Sequence, residues 1–183
     1  MSTGRPQAGG VIENPATGER ILLRRTAAQT GGELLEFELH LSPGGHVPAG
    51  HRHPEQEERF KVLEGEARFR LGRRHLIARE GETVTVPPGT PHSFSNPGPG
   101  PARLLVQARP ALRMEELLET AAGLGLRPGP LELAKFLVEF EREVRSPFAP
   151  RLVGALVRPL AWLARRGGGE AVRRRRSGSK TSG

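Results

Sequence analysis

Between Gly45 and Asn96 the chain carries two blocks of spaced residues whose polar members do not suit an ordinary apolar core. The first block runs Gly45, five residues, His51-Arg52-His53, four residues, Glu58, six residues, Gly65. The second runs Gly81, five residues, Pro87-Pro88-Gly89, two residues, His92, three residues, Asn96. His51 and His53 are two apart, so on an extended strand both imidazoles leave the same face and can converge on one ion. Glu58 lies at an odd separation from them, which an unbroken strand would send to the opposite face. Pro54 is placed to interrupt the strand, because it has no N–H for a ladder and opens the polar stretch Pro54-Glu55-Gln56-Glu57. From Glu58 the alternation resumes, with Phe60 and Val62 on the carboxylate's face and Arg59 and Lys61 on the other. Glu58 is therefore expected to point inward, where an ionised carboxylate is costly unless it is paired or binds a cation. Glu57 would replace it if the register moved by one, but it would then share a face with Arg59 and Lys61, so Glu58 is preferred.

His92 is the fourth candidate ligand. It shares strand parity with Phe94 and Asn96, and the turn Pro87-Pro88-Gly89-Thr90-Pro91 fixes its entry. Isolated histidines beside turns are mostly ordinary polar residues. Three imidazoles and a carboxylate in two separately spaced blocks read instead as a metal site, with His51, His53, Glu58 and His92 as ligands.

The flanking sequence predicts short antiparallel strands. Asn14-Pro15-Ala16-Thr17-Gly18 reads as a turn into a strand over residues 20–25. Leu35, Phe37, Leu39 and Leu41 alternate with Glu36, Glu38 and His40, which places His40 on the surface or at a subunit interface. His46 lies in the loop before the first block and is a candidate outer-shell group. Turns are expected at Glu64-Gly65 and Gly72-Arg73-Arg74, with Ala67, Phe69 and Leu71 inward and Arg68 and Arg70 outward. His75 should be exposed. Further strands are read over residues 75–78, 83–86 and 102–109, the last with Leu104, Val106 and Ala108 inward. Such spacing suits a closed or sandwich-like antiparallel barrel. Phe60, Val62, Phe69, Phe94 and Val106 would shape any pocket, but they are first of all core formers.

The two blocks resemble, position for position, the paired motifs of the cupin superfamily. The resemblance implies a mostly β protein: a single antiparallel jelly-roll barrel over residues 11–112, with a divalent transition metal inside. For the four-ligand set it implies Fe, Mn, Ni, Co, Cu or Zn, with coordination positions left open for dioxygen or a chelating substrate. Within the superfamily the set is similar to those of quercetinase-like dioxygenases, other oxygenases, oxalate decarboxylases and metal-dependent isomerases. The expectation is a mononuclear metal-dependent oxygenase in which Glu58 is both ligand and catalytic base. A binding module without turnover, or an isomerase or lyase, is the alternative. A homodimer and a small-molecule ligand are implied as partners.

The composition narrows this choice. With no cysteine there is no disulfide, thiol nucleophile or thioether-linked cofactor, and with no tyrosine there is no catalytic phenol. A second acid on a mobile lid, as an oxalate-type decarboxylase would want, is not identifiable. The first residues lack the apolar run of a signal peptide and no segment is long enough to span a bilayer, so a cytoplasmic location is expected.

After Pro110 the apolar period changes from 2 to 3.6. Met114, Leu117, Leu118 and Ala121 form the stripe of a short helix that stops near Gly123. A second helix is predicted from Pro130, with Leu133, Leu137, Phe140 and Val144 on one face. A third is predicted over residues 150–166, carrying Arg151, Arg158, Arg165 and Trp162 on its polar side and kinked by Pro159. Residues 113–166 thus read as a helical extension. Residues 1–10 and the basic tail 167–183 read as disordered. Most of the net charge of +8 lies after residue 112. Arg173–Arg176 and the basic helix suit weak, salt-sensitive contact with an anionic membrane surface or nucleic acid.

Overall fold

The computed structural model describes residues 7–14, 17–47, 50–125 and 128–146. The third predicted helix and the basic tail lie outside these residues. Among the described residues nine strands form: β1 (Val11–Asn14), β2 (Glu19–Arg25), β3 (Leu35–Leu41), β4 (Glu57–Glu64), β5 (Glu66–Leu71), β6 (Arg74–Arg79), β7 (Thr83–Val86), β8 (His92–Ser95) and β9 (Ala102–Arg109). A 3-10 turn (Ala28–Thr30) joins β2 to β3, and the strands are followed by α1 (Met114–Leu124) and α2 (Pro130–Glu139). No helix among the described residues is long and apolar enough to cross a membrane.

Every pairing among these strands is antiparallel. One sheet has six strands in the order β1-β2-β3-β9-β4-β7, and the other has three in the order β6-β5-β8. The non-sequential neighbours are what a jelly roll requires, with β9 returning to lie between β3 and β4. The two sheets share one core. Leu35, Phe37, Leu39 and Leu41 on β3, Phe60 and Val62 on β4, Phe69 on β5, and Leu104 and Val106 on β9 are all buried. The alternation read from the sequence is the alternation of the pleat, because each inward side chain gains roughly 1.5–3 kcal/mol from leaving water. β1 was not anticipated. Its four residues have no clear alternation of their own, and they become a strand by pairing with β2, from Val11 opposite Leu22 to Asn14 opposite Glu19.

Two positions hold the turns. Gly65 joins β4 to β5 at φ 73°, and a Cβ there would stand 2.7 Å from the Pro101 carbonyl, so no side chain fits. Asn96, almost fully buried, donates through Nδ2 to the carbonyls of Leu41 (3.2 Å), Ser42 (3.1 Å) and Gly100 (2.8 Å). Its Oδ1 accepts from the Gly98 N–H at 2.9 Å. One amide thus ties the loop before the first block to the loop after the second. Replacing Asn96 with Ala should cost about 2–3 kcal/mol in denaturant titrations, because buried carbonyls lose their donor. Asn96→Asp, though isosteric, should be no better, since it turns an oxygen toward those carbonyls. An Asp variant as stable as the parent would refute this role.

The helices follow the sequence reading at their starts and depart from it at one end. α1 places Met114 and Leu117 in the core, and Glu115 Oε1 accepts from the Ala27 N–H at 2.6 Å. Burial pushes the Glu115 carboxyl up against that hydrogen bond. α2 starts at Pro130, and Glu132 Oε2 accepts from the Gly129 N–H at 3.0 Å. The stripe Leu133, Leu137, Phe140, Val144 predicted one continuous helix. Instead α2 stops at Glu139, and the N–H groups of Glu143 (3.0 Å) and Val144 (2.8 Å) both close onto the Phe140 carbonyl. The chain then runs extended. Phe140 and Val144 still reach the core, by a turn and not by a helix, while Leu133 is left exposed.

Candidate metal centre

The two sequence blocks are stapled together by main-chain hydrogen bonds. His51 and His92 exchange both, with His51 N–H to the His92 carbonyl at 2.9 Å and His92 N–H to the His51 carbonyl at 2.7 Å. The turn Pro87-Pro88-Gly89 adds a third, from the Gly89 N–H to the His53 carbonyl at 2.7 Å. Pro54 and Glu55 lie in a bend between His53 and β4, where the strand was expected to break. β4 then presents Glu58, Phe60 and Val62 inward and leaves Glu57, Arg59 and Lys61 exposed. Glu58, not Glu57, enters the interior, on the strand next to the sheet's β7 edge and paired with Val86 of β7 and Ala108 of β9.

One donor atom from each of His51, His53, Glu58 and His92 lies within 4.8 Å of every other. The ring centroid of His51 is 4.9 Å from that of His53 and 4.4 Å from that of His92, and the last two are 5.3 Å apart. Glu58 Oε2 stands 3.2 Å from His53 Nε2 and 2.9 Å from His92 Nε2. Although close, these three buried atoms make no directed hydrogen bond with one another or with any other group. Buried polar atoms left in this way are costly, and a cation among them is what would satisfy all three.

The far sides of two rings strengthen this fit. His53 Nδ1 lies 2.5 Å from the main-chain carbonyl of Glu143, and His92 Nδ1 lies 3.0 Å from that of Thr90. A carbonyl can only accept, so both Nδ1 atoms carry the proton, and in the neutral rings each Nε2 keeps its lone pair toward the centre. Orienting a ligand imidazole through its other nitrogen is the usual second layer of a metal site. The four side chains can therefore hold a metal ion.

Burial works against charge at this site, and the mutual attraction outweighs it. Desolvation alone would raise the Glu58 carboxyl, but the charge and hydrogen-bonding capacity of His53 and His92 hold it well below the usual carboxylate range. Desolvation alone would lower His53. The Glu58 charge and the Glu143 carbonyl raise it above the ordinary imidazole value.

Beneath the site is an aromatic floor. Phe60 lies 5.2 Å from Phe69 and 5.2 Å from Phe94 between centroids, and 6.4 Å from His92. His51 is the least buried of the four polar residues, so access is from its side. His46, read as an outer-shell candidate, is exposed and not among the converging groups; its Nδ1 is 3.2 Å from the Gly44 carbonyl. His40 lies on the outer face beside Glu38, and His75 is exposed. The outer-shell role falls instead to two main-chain carbonyls.

Glu143 was not read from the sequence as part of any site, because the group it contributes is common to every residue. Gln56 was placed in a polar stretch but is almost fully buried, donating through Nε2 to the carbonyls of Pro110 (2.9 Å) and Ala111 (3.0 Å). Its spacing from the paired blocks offered no signal for this contact.

A family model described as a cupin domain matches residues 37–107. An uncharacterized protein of Methanocaldococcus jannaschii is 34% identical over 80 residues, covering 40% of this chain and 64% of the relative. The match thus spans less than two thirds of that relative's length. A crystal structure of a protein from Thermus thermophilus is 30% identical over 43% of this chain and 74% of that one, with a TM-score of 0.41. A sugar phosphate isomerase from a cupin superfamily, from Silicibacter pomeroyi, is 26% identical over 51% of this chain and 60% of its own, with a TM-score of 0.45.

Proposed function

The chain belongs to the cupin superfamily through residues 37–107, and on that premise we propose that it is a mononuclear metal-dependent enzyme, an oxygenase acting on a small chelating organic substrate. The observation that carries the proposal is the convergence of His51, His53, Glu58 and His92 within 4.8 Å, with three of their polar atoms buried and unsatisfied. These residues would hold one divalent ion of Fe, Mn, Ni, Co, Cu or Zn. Bound there, such an ion would supply Lewis-acid polarisation of a chelating substrate and, if redox-active, reactivity with dioxygen.

The chain's own groups have separable tasks. His53 and His92 present Nε2 to the centre because their Nδ1 protons are committed to carbonyls. Glu58 is held ionised by those imidazoles, so at neutral pH Oε2 carries no proton and can bind a cation. The same atom would receive the proton of a substrate hydroxyl, a transfer that its lowered pKa makes less favourable. Phe60, Phe69 and Phe94 exclude water from below and leave the His51 side as the entrance. The lack of cysteine and tyrosine removes thiol and phenol chemistry from the candidates and makes Glu58 the catalytic residue of this reading. A homodimer and a small-molecule ligand belong to the same proposal.

Elemental analysis of the untagged protein, beside a His51→Ala/His92→Ala double variant, is the test. Near-stoichiometric metal in the parent and none in the variant is expected. Oxygen uptake with chelating aromatic and enol substrates should then fall roughly 100- to 10,000-fold in Glu58→Gln. Turnover without oxygen would favour an isomerase or lyase, and tight binding without turnover a ligand-binding module. Absence of metal after anaerobic reconstitution would sink the enzyme reading.

A further inference from the structure

The four candidate ligands are not held in place by the same means. Glu58 sits near the start of β4, paired on both sides with sheet neighbours, Val86 and Ala108. His51 and His92 are locked to each other by two main-chain hydrogen bonds, and the ring of His92 is steadied by a carbonyl two residues away in its own turn. His53 differs. Unlike His51 it takes part in no β-bridge; its carbonyl accepts the Gly89 N–H, and it is followed by Pro54, which has no N–H to offer a neighbour. The contact that orients its ring comes from 90 residues further along the chain, at the carbonyl of Glu143.

The segment that supplies this carbonyl is fastened around the first block at several points. Arg52, between the two histidines, exchanges main-chain hydrogen bonds with Arg145 at 3.0 and 2.9 Å. The Arg142 guanidinium forks onto the Glu55 carboxylate at 3.1 and 2.8 Å. Glu143, itself almost fully buried, accepts the Arg113 N–H through Oε1 at 3.2 Å. Phe140 is buried beneath it, and the Arg113 guanidinium lies 5.0 Å from the Phe140 ring centroid. These contacts bracket His53 on both sides in sequence. The matched cupin domain ends at residue 107, so the whole segment lies beyond it.

We propose that residues 140–146 are a positioning strap for the metal centre: through the Glu143 carbonyl they fix the His53 imidazole, and this chain's metal affinity depends on them. This rests on the metal-centre reading but not on catalysis. Glu143 acts through His53 and is a positioning residue. An imidazole free to rotate must be ordered by the metal itself, and loss of such an outer contact typically weakens binding 10- to 100-fold.

The test uses the full chain and Co(II) as the probe, with Kd measured by competition with a chromophoric chelator and the Co(II) absorption bands recorded. Glu143→Ala removes the anchor to the Arg113 N–H, whereas Glu143→Gln keeps an acceptor at the same place. Arg145→Pro changes an exposed residue and removes the N–H that the Arg52 carbonyl accepts. Both Glu143→Ala and Arg145→Pro should bind Co(II) roughly 10- to 100-fold more weakly, with shifted bands. Glu143→Gln should restore both readouts. In the Zn(II) protein, 15N shifts of the His53 ring should report a protected Nδ1–H in the parent and its loss in the weakened variants. Folded variants that match the parent in Kd and bands would overturn the strap alone. A parent that binds no metal would overturn the metal centre with it. Should both variants lose the metal-free fold by circular dichroism, the segment is a structural element of the domain and the inference also falls.

Discussion

Between pH 8 and pH 5, divalent-metal binding is expected to weaken by at least a factor of about ten, with the slope appearing above the ordinary imidazole pKa of about 6.5. The cause is competition for the same atoms. A metal needs the Nε2 lone pair of His53, and in the metal-free protein that nitrogen holds a proton more firmly than usual because the Glu58 carboxylate is beside it. Each proton displaced costs about tenfold in affinity per pH unit below the raised value. The metal-free fold has the opposite dependence on this group. Its His53 pKa is raised on folding, so the stabilisation is complete below the unfolded value and is lost as pH rises through the folded one. Glu58 is depressed on folding, so its contribution is present above the unfolded carboxylate value and lost as pH falls through the folded one. The chelated protein should therefore be favoured by these two groups in mildly acidic solution, and the loaded protein at neutral or higher pH. Competition titrations at a series of pH values, with thermal unfolding in the presence and absence of chelator, measure both trends. Affinity that stays flat across this range would contradict the assignment of His53 as a ligand.

Truncating Phe60 to alanine should have the largest effect on stability, about 3–5 kcal/mol. Its side chain is among the largest that are fully buried, and it touches aromatic rings from the second sheet, Phe69 on β5 and Phe94 on β8. Removing it opens a cavity where the two sheets meet, and the strand backbones on either side cannot close it without breaking their ladders. The thermal midpoint should fall by on the order of 10 °C. Phe60→Leu, which keeps most of the volume, should cost about 1–1.5 kcal/mol. Metal affinity should fall along with stability in the alanine variant, because the same ring lies 6.4 Å from His92. A Phe60→Ala midpoint within two or three degrees of the parent (about 1 kcal/mol or less) would show that the two sheets do not depend on this contact.

The strands were legible in the sequence wherever one face is dry and the other wet. β7 and β9 have the predicted bounds, and β3 has the predicted inward set. β1 and the end of α2 were not legible, for a common reason. Val11–Asn14 becomes a strand because β2 offers an edge, and α2 stops at Glu139 because the following residues pair with the first block. Neither cause lies in the local pattern. Phe140 and Val144 continue the helical stripe in sequence, yet a turn closing on the Phe140 carbonyl delivers both of them to the core.

The site divides along the same line. Side-chain identity and parity alone determined which groups could meet: two histidines two apart, a break at Pro54, a carboxylate on the apolar face of the next strand, and a histidine behind a rigid turn. Those are properties of residue type and of the two-residue period, and both are written in the chain. The tertiary structure decided how the groups are oriented. It placed the Glu143 carbonyl against His53, paired Arg52 with Arg145, and buried Gln56 against Pro110 and Ala111. Two of these contacts depend on main-chain atoms that every residue possesses, and the third directs an ordinary amide at two carbonyls. No residue type announces them, and they exist only once distant segments have been packed together.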